Sequence, residues 1–179
     1  MSTLKKNILI SFFAAMGIVL KVTLAPIVNV ITDFLFIPGG SAITGISISL
    51  LLLGPILIED SFTATKMALL QALLALFLGS SSFQGPFIIV SYTLPGIVID
   101  LIMNKKLMTF LGERETMALA GVLAVTTGAF ITNTAFFRLD ILPLILFILV
   151  GAVSGVVGSC IAYNVYEKLL VKDIWRKII

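Results

Sequence analysis

The chain has 179 residues, of which 59% are hydrophobic and 12% are charged, and its formal net charge is +3. A soluble domain has about a quarter charged residues, so the long uncharged runs identify an integral membrane protein and leave no role in nucleic-acid binding. The lack of histidine and the single cysteine, Cys160, exclude a disulfide framework, a histidine-dependent catalytic triad and the usual Cys/His metal sites.

Six apolar runs predict helices that cross the membrane, because about 20 apolar residues span the hydrocarbon core. Only Glu59, Asp60 and Ser61 separate the second run from the third, so a tilted or re-entrant hairpin is an alternative there. The sequence therefore predicts one all-α domain over residues 1–179, a compact bundle of six transmembrane helices. The predicted spans are residues 7–31, 42–58, 62–78, 86–103, 116–137 and 141–166.

The basic residues predict the orientation of this bundle. When the amino terminus is placed inside the cell, almost every lysine and arginine that flanks a span falls on the cytoplasmic side, and only Arg138 falls outside. Basic residues concentrate on the cytoplasmic side of membrane proteins. Both termini are therefore predicted to be cytoplasmic.

Lys21 is the most informative single residue, because it lies inside the first apolar run. A charge at membrane depth costs roughly 3 kcal/mol and usually faces a cavity or a partner. The alternative is that its long stem carries the ammonium group to the outer interface.

Other polar residues are predicted to reach a similar depth near the outer surface. A few polar groups among aliphatic and aromatic side chains are typical of a small-molecule pocket. Taken singly, each residue is better explained by capping or packing than by contact with a ligand. The charges of the cluster allow an anionic or zwitterionic ligand without requiring one. The predicted binding residues are Lys21, Asn29, Asp33, Gln84, Tyr92, Asn133 and Arg138.

Small residues form two further patterns. Ser11 and Ala15, with Ala14 beside them, give the first helix a face that another helix can approach closely, either within the bundle or on a separate membrane subunit. Gly151-x-x-x-Gly155 and Ser154-x-x-x-Gly158 predict close helix packing inside the bundle. Asp100, at the inner end of the fourth span, is interpreted as pairing with a cytoplasmic lysine, with a proton relay as the alternative.

The chain resembles the substrate-binding S components of energy-coupling factor (ECF) vitamin transporters. The resemblance covers the whole chain and rests on its length, its six spans, Ser11-x-x-x-Ala15 and the segment Phe34-Leu35-Phe36-Ile37-Pro38-Gly39-Gly40. The family's docking pattern is A-x-x-x-A, from which Ser11 departs. The resemblance implies capture of a vitamin or related micronutrient at the cytoplasmic membrane of a prokaryote. It also implies docking through Ser11, Ala14 and Ala15 onto a transmembrane coupling subunit that works with two cytoplasmic ATPases.

Three other functions are compatible with the sequence. A stand-alone secondary transporter of a small polar solute would use Lys21 and Asp100 as coupling groups, although no inverted repeat is visible. An intramembrane enzyme would need carboxylates at one depth, and the acidic residues are scattered. A membrane scaffold without a ligand would not explain a lysine inside the first apolar run. No catalytic residue, cofactor or metal is predicted, and no phosphate-binding loop occurs, so the chain is not expected to be an enzyme.

Overall fold

The computed structural model describes residues 2–34, 39–58, 60–79, 85–138 and 140–171. This described part contains seven α-helices and no strand. A 3₁₀ turn at Gly85–Phe87 precedes the fourth helix, and a π-helical turn at Asn133–Phe137 continues the sixth. The helices are α1 (Thr3–Phe34), α2 (Gly39–Ile58), α3 (Thr63–Phe77), α4 (Ile88–Ile102), α5 (Lys105–Leu111), α6 (Glu113–Thr132) and α7 (Ile141–Val171).

The all-α class predicted from the sequence is confirmed, and the helices have the character of a membrane-embedded protein. Four segments are long and apolar enough to cross a bilayer: Thr3–Ile31, Gly85–Ile102, Glu113–Ala135 and Ile141–Leu169. Two shorter apolar helices, Ile43–Ile58 and Thr63–Phe77, coincide with the second and third predicted spans.

The outward faces of α1 and α7 are apolar. Ile8 and Phe12 on α1, and Leu142, Leu149 and Val153 on α7, are all exposed. Soluble monomers rarely leave contiguous apolar faces of this extent uncovered. A lipid environment accounts for these faces, because hydrocarbon chains solvate them at no cost.

The core forms around α2, which packs against α1, α3, α6 and α7. All four leucines at positions 50–53 are buried, so this helix is covered around its whole circumference. A helix that is apolar on every side is stable only when other helices or lipid surround it. The buried cluster that contains these leucines also includes Ala14 of α1, Met67 of α3, Ile99 of α4, Met117 of α6 and Ala162 of α7.

The small residues of α7 pack inside the bundle, as the sequence predicts. A Cβ atom added at Gly158 would collide with the backbone carbonyl of Gly45 on α2, and one added at Gly155 would meet the backbone of Gly121 on α6. The amide of Gly45 also donates a 3.0 Å hydrogen bond to the Ser154 hydroxyl. These backbones approach so closely because no side chain separates them.

Several boundaries differ from the prediction by a few residues, and the fifth span differs at both ends. The fifth span begins earlier, at Glu113, and a separate short helix, α5, precedes it. Gly112, with φ of 95°, forms the break between these helices. Seven residues are too few to show a helical periodicity in the sequence, so α5 was missed. At the other end of this span, the α-helix ends at Thr132 and residues up to Phe137 form the π turn.

Asp100 has a role that the sequence did not predict. Its carboxylate accepts hydrogen bonds from the amides of Ala64 (3.1 Å) and Thr65 (2.7 Å) and from the Thr65 hydroxyl (2.6 Å). These amides lie in the first turn of α3, where no intrahelical acceptor exists. Asp100 therefore caps α3 from the neighbouring helix α4. The side chains of Lys105 and Lys106, the lysines nearest in sequence, lie outside the described residues, so the expected lysine pairing stays a prediction.

Candidate functional site

Lys21 of α1 and Tyr92 of α4 are in direct contact. The Lys21 ammonium group donates a 2.7 Å hydrogen bond to the Tyr92 hydroxyl oxygen. The same nitrogen lies 4.1 Å from the centre of the Tyr92 ring, within the range of a cation–π interaction. Two of the predicted binding residues, 71 positions apart in the chain, are thus brought together.

A small apolar cluster positions this pair. Ile18 of α1, Ala75 of α3 and Ile88 of α4 are buried against one another, and Tyr92 packs at their edge. Lys21 follows Ile18 by three residues and Tyr92 follows Ile88 by four, so each polar side chain lies on the same helix face as its apolar neighbour. The packing of α1 and α4 on α3 therefore directs both side chains toward the same place.

The pair lies far from the capping contact of Asp100. Tyr92 precedes Asp100 by eight residues along α4, which corresponds to about 12 Å of helix. Lys21 is near the middle of α1 and is only partly exposed. Among the described side chains, the carboxylate that forms ion pairs is that of Asp60, which contacts Lys6 at 3.3 Å and Lys66 at 2.7 Å.

Gln71 is a third polar side chain in this region, and sequence reasoning missed it. It lies on α3, one turn before Ala75, and its relative exposure is only 1%. Its side-chain nitrogen rests directly over Gly17, one turn before Lys21 on α1, and has no hydrogen-bond partner within the described structure. The signal in the sequence was an isolated amide inside an otherwise apolar span.

The other predicted binding residues whose side chains are described are not joined to this pair. Asn29 is exposed on α1, Asn133 is buried at the start of the π turn, and Arg138 is exposed with φ of 45°. In the described part, none of the three hydrogen-bonds to Lys21 or Tyr92. The side chain of Asp33 lies outside the described residues, and so does the whole of Gln84. Residues 35–38, which belong to the segment that carries the family resemblance, also lie outside them.

The predicted docking face on α1 divides into two parts. Ser11 and Ala15 are exposed, one turn apart on the same side of the helix. Ala14 has a relative exposure of 0% and packs in the central core. Adjacent positions on a helix point about 100° apart, so Ala14 belongs to the inward face and is not available to a partner in this arrangement.

A groove of about 930 Å³ opens at the end of the bundle that carries Asp60. The sequence predicted no site there, because the lining comes from the ends of α2, α4, α6 and α7, from α5 and from residues 60–62, which are far apart in the chain. Its lining residues include Pro55, Asp60, Asp100, Met103, Glu113 and Tyr166.

The acidic groups in this groove already have partners. Asp60 pairs with two lysines, Asp100 caps α3, and Glu113 accepts a 3.4 Å hydrogen bond from the Tyr166 hydroxyl. The hydrogen bond from Lys66, with a smaller contribution from Lys6, lowers the pKa of Asp60. No group of three acidic or cysteine residues that would hold a metal ion occurs in the described part of the chain.

Comparisons with other proteins add no relative: the chain matches no protein-family model, no curated protein and no solved structure at a significant level.

Proposed function

We propose that this chain is the membrane-embedded binding subunit of an uptake system for a vitamin or a related small micronutrient. The contact between Lys21 and Tyr92 is the observation that carries this proposal. A lysine inside an apolar helix costs roughly 3 kcal/mol to insert. A helix that serves only as an anchor gains nothing that offsets such a cost.

The surroundings of the pair have the composition of a small-molecule site. An aromatic ring and aliphatic side chains from Ile18 and Ile88 adjoin one ammonium group and one hydroxyl. Pockets for small molecules are mostly apolar, with a few polar groups that fix the orientation of the ligand. The pair connects α1 to α4, so a ligand that engages it would contact two helices at once.

The proposal includes a topology of six crossings with both termini in the cytoplasm of a prokaryotic cell. Lys6 and Lys66 lie together at the Asp60 end, as the positive-inside rule expects of a cytoplasmic end. The Lys21–Tyr92 pair then lies toward the outer side. The 15 residues of α3 extend about 22 Å as a helix, which is enough to cross a locally thinned or tilted region of bilayer.

A transmembrane coupling subunit and two cytoplasmic ATPases are the proposed partners. They follow from the resemblance to S components, and the exposure of Ser11 and Ala15 on the apolar face of α1 supports such docking. The sequence has no phosphate-binding loop, so ATP hydrolysis would belong to the partners.

The test is uptake of radiolabelled vitamins by cells that lack the gene and carry a plasmid copy. The wild-type chain should restore ATP-dependent uptake of one vitamin, and Lys21→Met should not. Lys168→Met, which removes an exposed lysine near the end of α7, is the matched control and should behave as wild type. Ala15→Trp should abolish uptake while leaving binding intact. Full uptake by both Lys21→Met and Ala15→Trp would refute the proposal.

A stand-alone secondary transporter is the second candidate, and the groove at the Asp60 end favours it. That groove gives the bundle an opening opposite the Lys21–Tyr92 pair. Against it, the proposed coupling group Asp100 is engaged as the cap of α3. Proteoliposomes that contain only this chain distinguish the two: solute accumulation driven by a proton or sodium gradient would establish the secondary transporter.

A further inference from the structure

We infer that the ligand of the Lys21–Tyr92 site is an organic carboxylate, whose negative charge Lys21 neutralises. This inference rests on the proposed binding function and specifies the class of substrate. It is carried by the hydrogen-bonding capacity that Lys21 and Tyr92 leave unused among the described residues, by the lack of a described carboxylate close to Lys21, and by the neighbouring amide of Gln71.

The hydrogen-bonding groups that the pair leaves unused are donors. An ammonium group has three N–H donors and no acceptor, and in the described structure Lys21 uses one of them, toward Tyr92. The Tyr92 oxygen accepts that bond, so its own O–H remains available to donate. Two N–H groups and one O–H group therefore converge here, which suits the two oxygens of a carboxylate.

The charge of Lys21 is not balanced by the described protein groups. The ion pairs of the described side chains are both made by Asp60, at the other end of the bundle, and no described carboxylate lies within 4.0 Å of Lys21. The backbone of Asp33 is twelve residues further along the same helix, about 18 Å from that of Lys21, and the side chain of Asp33 lies outside the described residues. The Tyr92 hydroxyl and ring are neutral, so they orient the ammonium group without cancelling its charge.

Gln71 adds an independent observation. Its side-chain nitrogen is buried, lacks a partner within the described residues, and lies beside Gly17, one turn from Lys21. A buried donor without an acceptor is unfavourable, and such groups are rare in native structures. An acceptor-rich ligand that enters between α1 and α3 would meet this donor after it has engaged Lys21.

The site also selects against other ligand classes. A cation would be repelled by Lys21, and a neutral polar molecule would leave the lysine charge uncompensated inside the membrane. A dianionic phosphate would retain one excess negative charge, because Lys21 is the one described lysine at this site. A monoanionic carboxylate on an apolar or aromatic body balances the charge and uses the adjoining apolar side chains.

The experiment measures the thermal unfolding midpoint of the detergent-purified chain with four matched acid and amide pairs. The pairs are acetate and acetamide, benzoate and benzamide, nicotinate and nicotinamide, and biotin and biotinamide, each compared with an equal concentration of sodium chloride. A molecule that binds only the folded state raises the midpoint. At least one carboxylate should raise it, and its amide should require at least about a tenfold higher concentration for the same rise, since loss of a charged contact typically weakens binding by that factor or more.

Variants assign the effect to this site. Lys21→Met should abolish the rise, Lys21→Arg should preserve part of it, and Tyr92→Phe should weaken it while keeping the ring. Gln71→Leu should weaken it as well. If Lys21→Met does not fold, the midpoint rises of Tyr92→Phe, Lys21→Arg and wild type are compared instead. A smaller rise in both variants would still assign the effect to the Lys21–Tyr92 pair.

Three results would overturn the inference. These are the failure of all four carboxylates to raise the midpoint, an amide or chloride that acts as strongly as its carboxylate, and a rise that persists in Lys21→Met. Uptake of a neutral or cationic vitamin in the cellular assay would refute the carboxylate class and leave the proposed function standing. Absence of both vitamin uptake and any midpoint shift would refute both.

Discussion

The cap that Asp100 provides to α3 is a contact whose strength follows from the geometry. The amides of Ala64 and Thr65 are the second and third of α3, which are the positions that a helix cap normally satisfies. The residue that precedes the helix, Phe62, makes no side-chain cap. We therefore expect Asp100→Ala to destabilise the protein and Asp100→Asn to do so less, because an amide keeps one acceptor oxygen.

The expected size is a sum of two effects. Loss of a capping side chain costs about 1 kcal/mol, and loss of a negative charge beside a helix amino terminus costs about 0.3–1 kcal/mol, or up to about 2 kcal/mol when partly buried. Asp100→Ala should therefore lower the free energy of unfolding by about 1.3–3 kcal/mol. Asp100→Asn should lower it by about 1 kcal/mol, mainly through the lost charge.

The assay is reversible unfolding in mixed micelles of a mild detergent and sodium dodecyl sulfate, followed by circular dichroism. Glu167→Gln is the control, because it removes an exposed carboxylate near the end of α7. If Asp100→Ala stayed within about 0.5 kcal/mol of wild type, as surface substitutions do, the cap would contribute nothing measurable. The reasoning that assigns Asp100 a structural role would then be wrong.

Three further outcomes are expected. Gly158→Leu should prevent folding or cost at least about 3 kcal/mol, because its side chain would collide with the carbonyl of Gly45 and overpack the α2–α7 contact; normal stability in the same unfolding assay would contradict this packing. Asp60→Asn should destabilise the protein at neutral pH. The hydrogen bond from Lys66 lowers the pKa of Asp60 below its ordinary value of 3.8. The ion pairs of Asp60 therefore stabilise the fold above pH 3.8 and are lost as the pH falls through the lowered pKa. The difference in the free energy of unfolding between wild type and Asp60→Asn should therefore shrink below pH 3.8. A difference that grows on acidification would contradict a stabilising role for these ion pairs. Gln71→Met should leave stability unchanged or raise it by about 1–2 kcal/mol, since it removes a buried donor that lacks a partner; a loss of more than about 1 kcal/mol would mean that the amide makes a stabilising bond.

Hydropathy located the helices because each long apolar run must be a helix if it is to satisfy its backbone in lipid. All six predicted runs coincide with helices, from α1 to α7 with α5 excepted. α5 was missed because it is short and begins with Lys105 and Lys106, which read as a loop. Membrane spans are detected from long apolar runs, and a helix of seven residues is too short to contain one.

The site was predicted in part. Counting residues along two helices gave Lys21 and Tyr92 a similar depth, and they are indeed in contact. Depth alone does not give the rotation of each helix about its axis. That rotation explains why Ala14 turns into the core while Ala15 faces outward. Partners distant in the chain, such as Asp100 for the start of α3, depend on how the helices assemble and leave no local pattern.

The most direct test of the central claim is native mass spectrometry of the chain purified in mild detergent from cells grown in rich medium. The wild-type protein should retain about one small molecule per chain, identifiable after release. Lys21→Met should be folded and empty, and Lys168→Met should retain the same molecule as wild type. A folded wild-type protein that carries no small molecule, or equal occupancy in Lys21→Met, would contradict a binding site built on Lys21 and Tyr92.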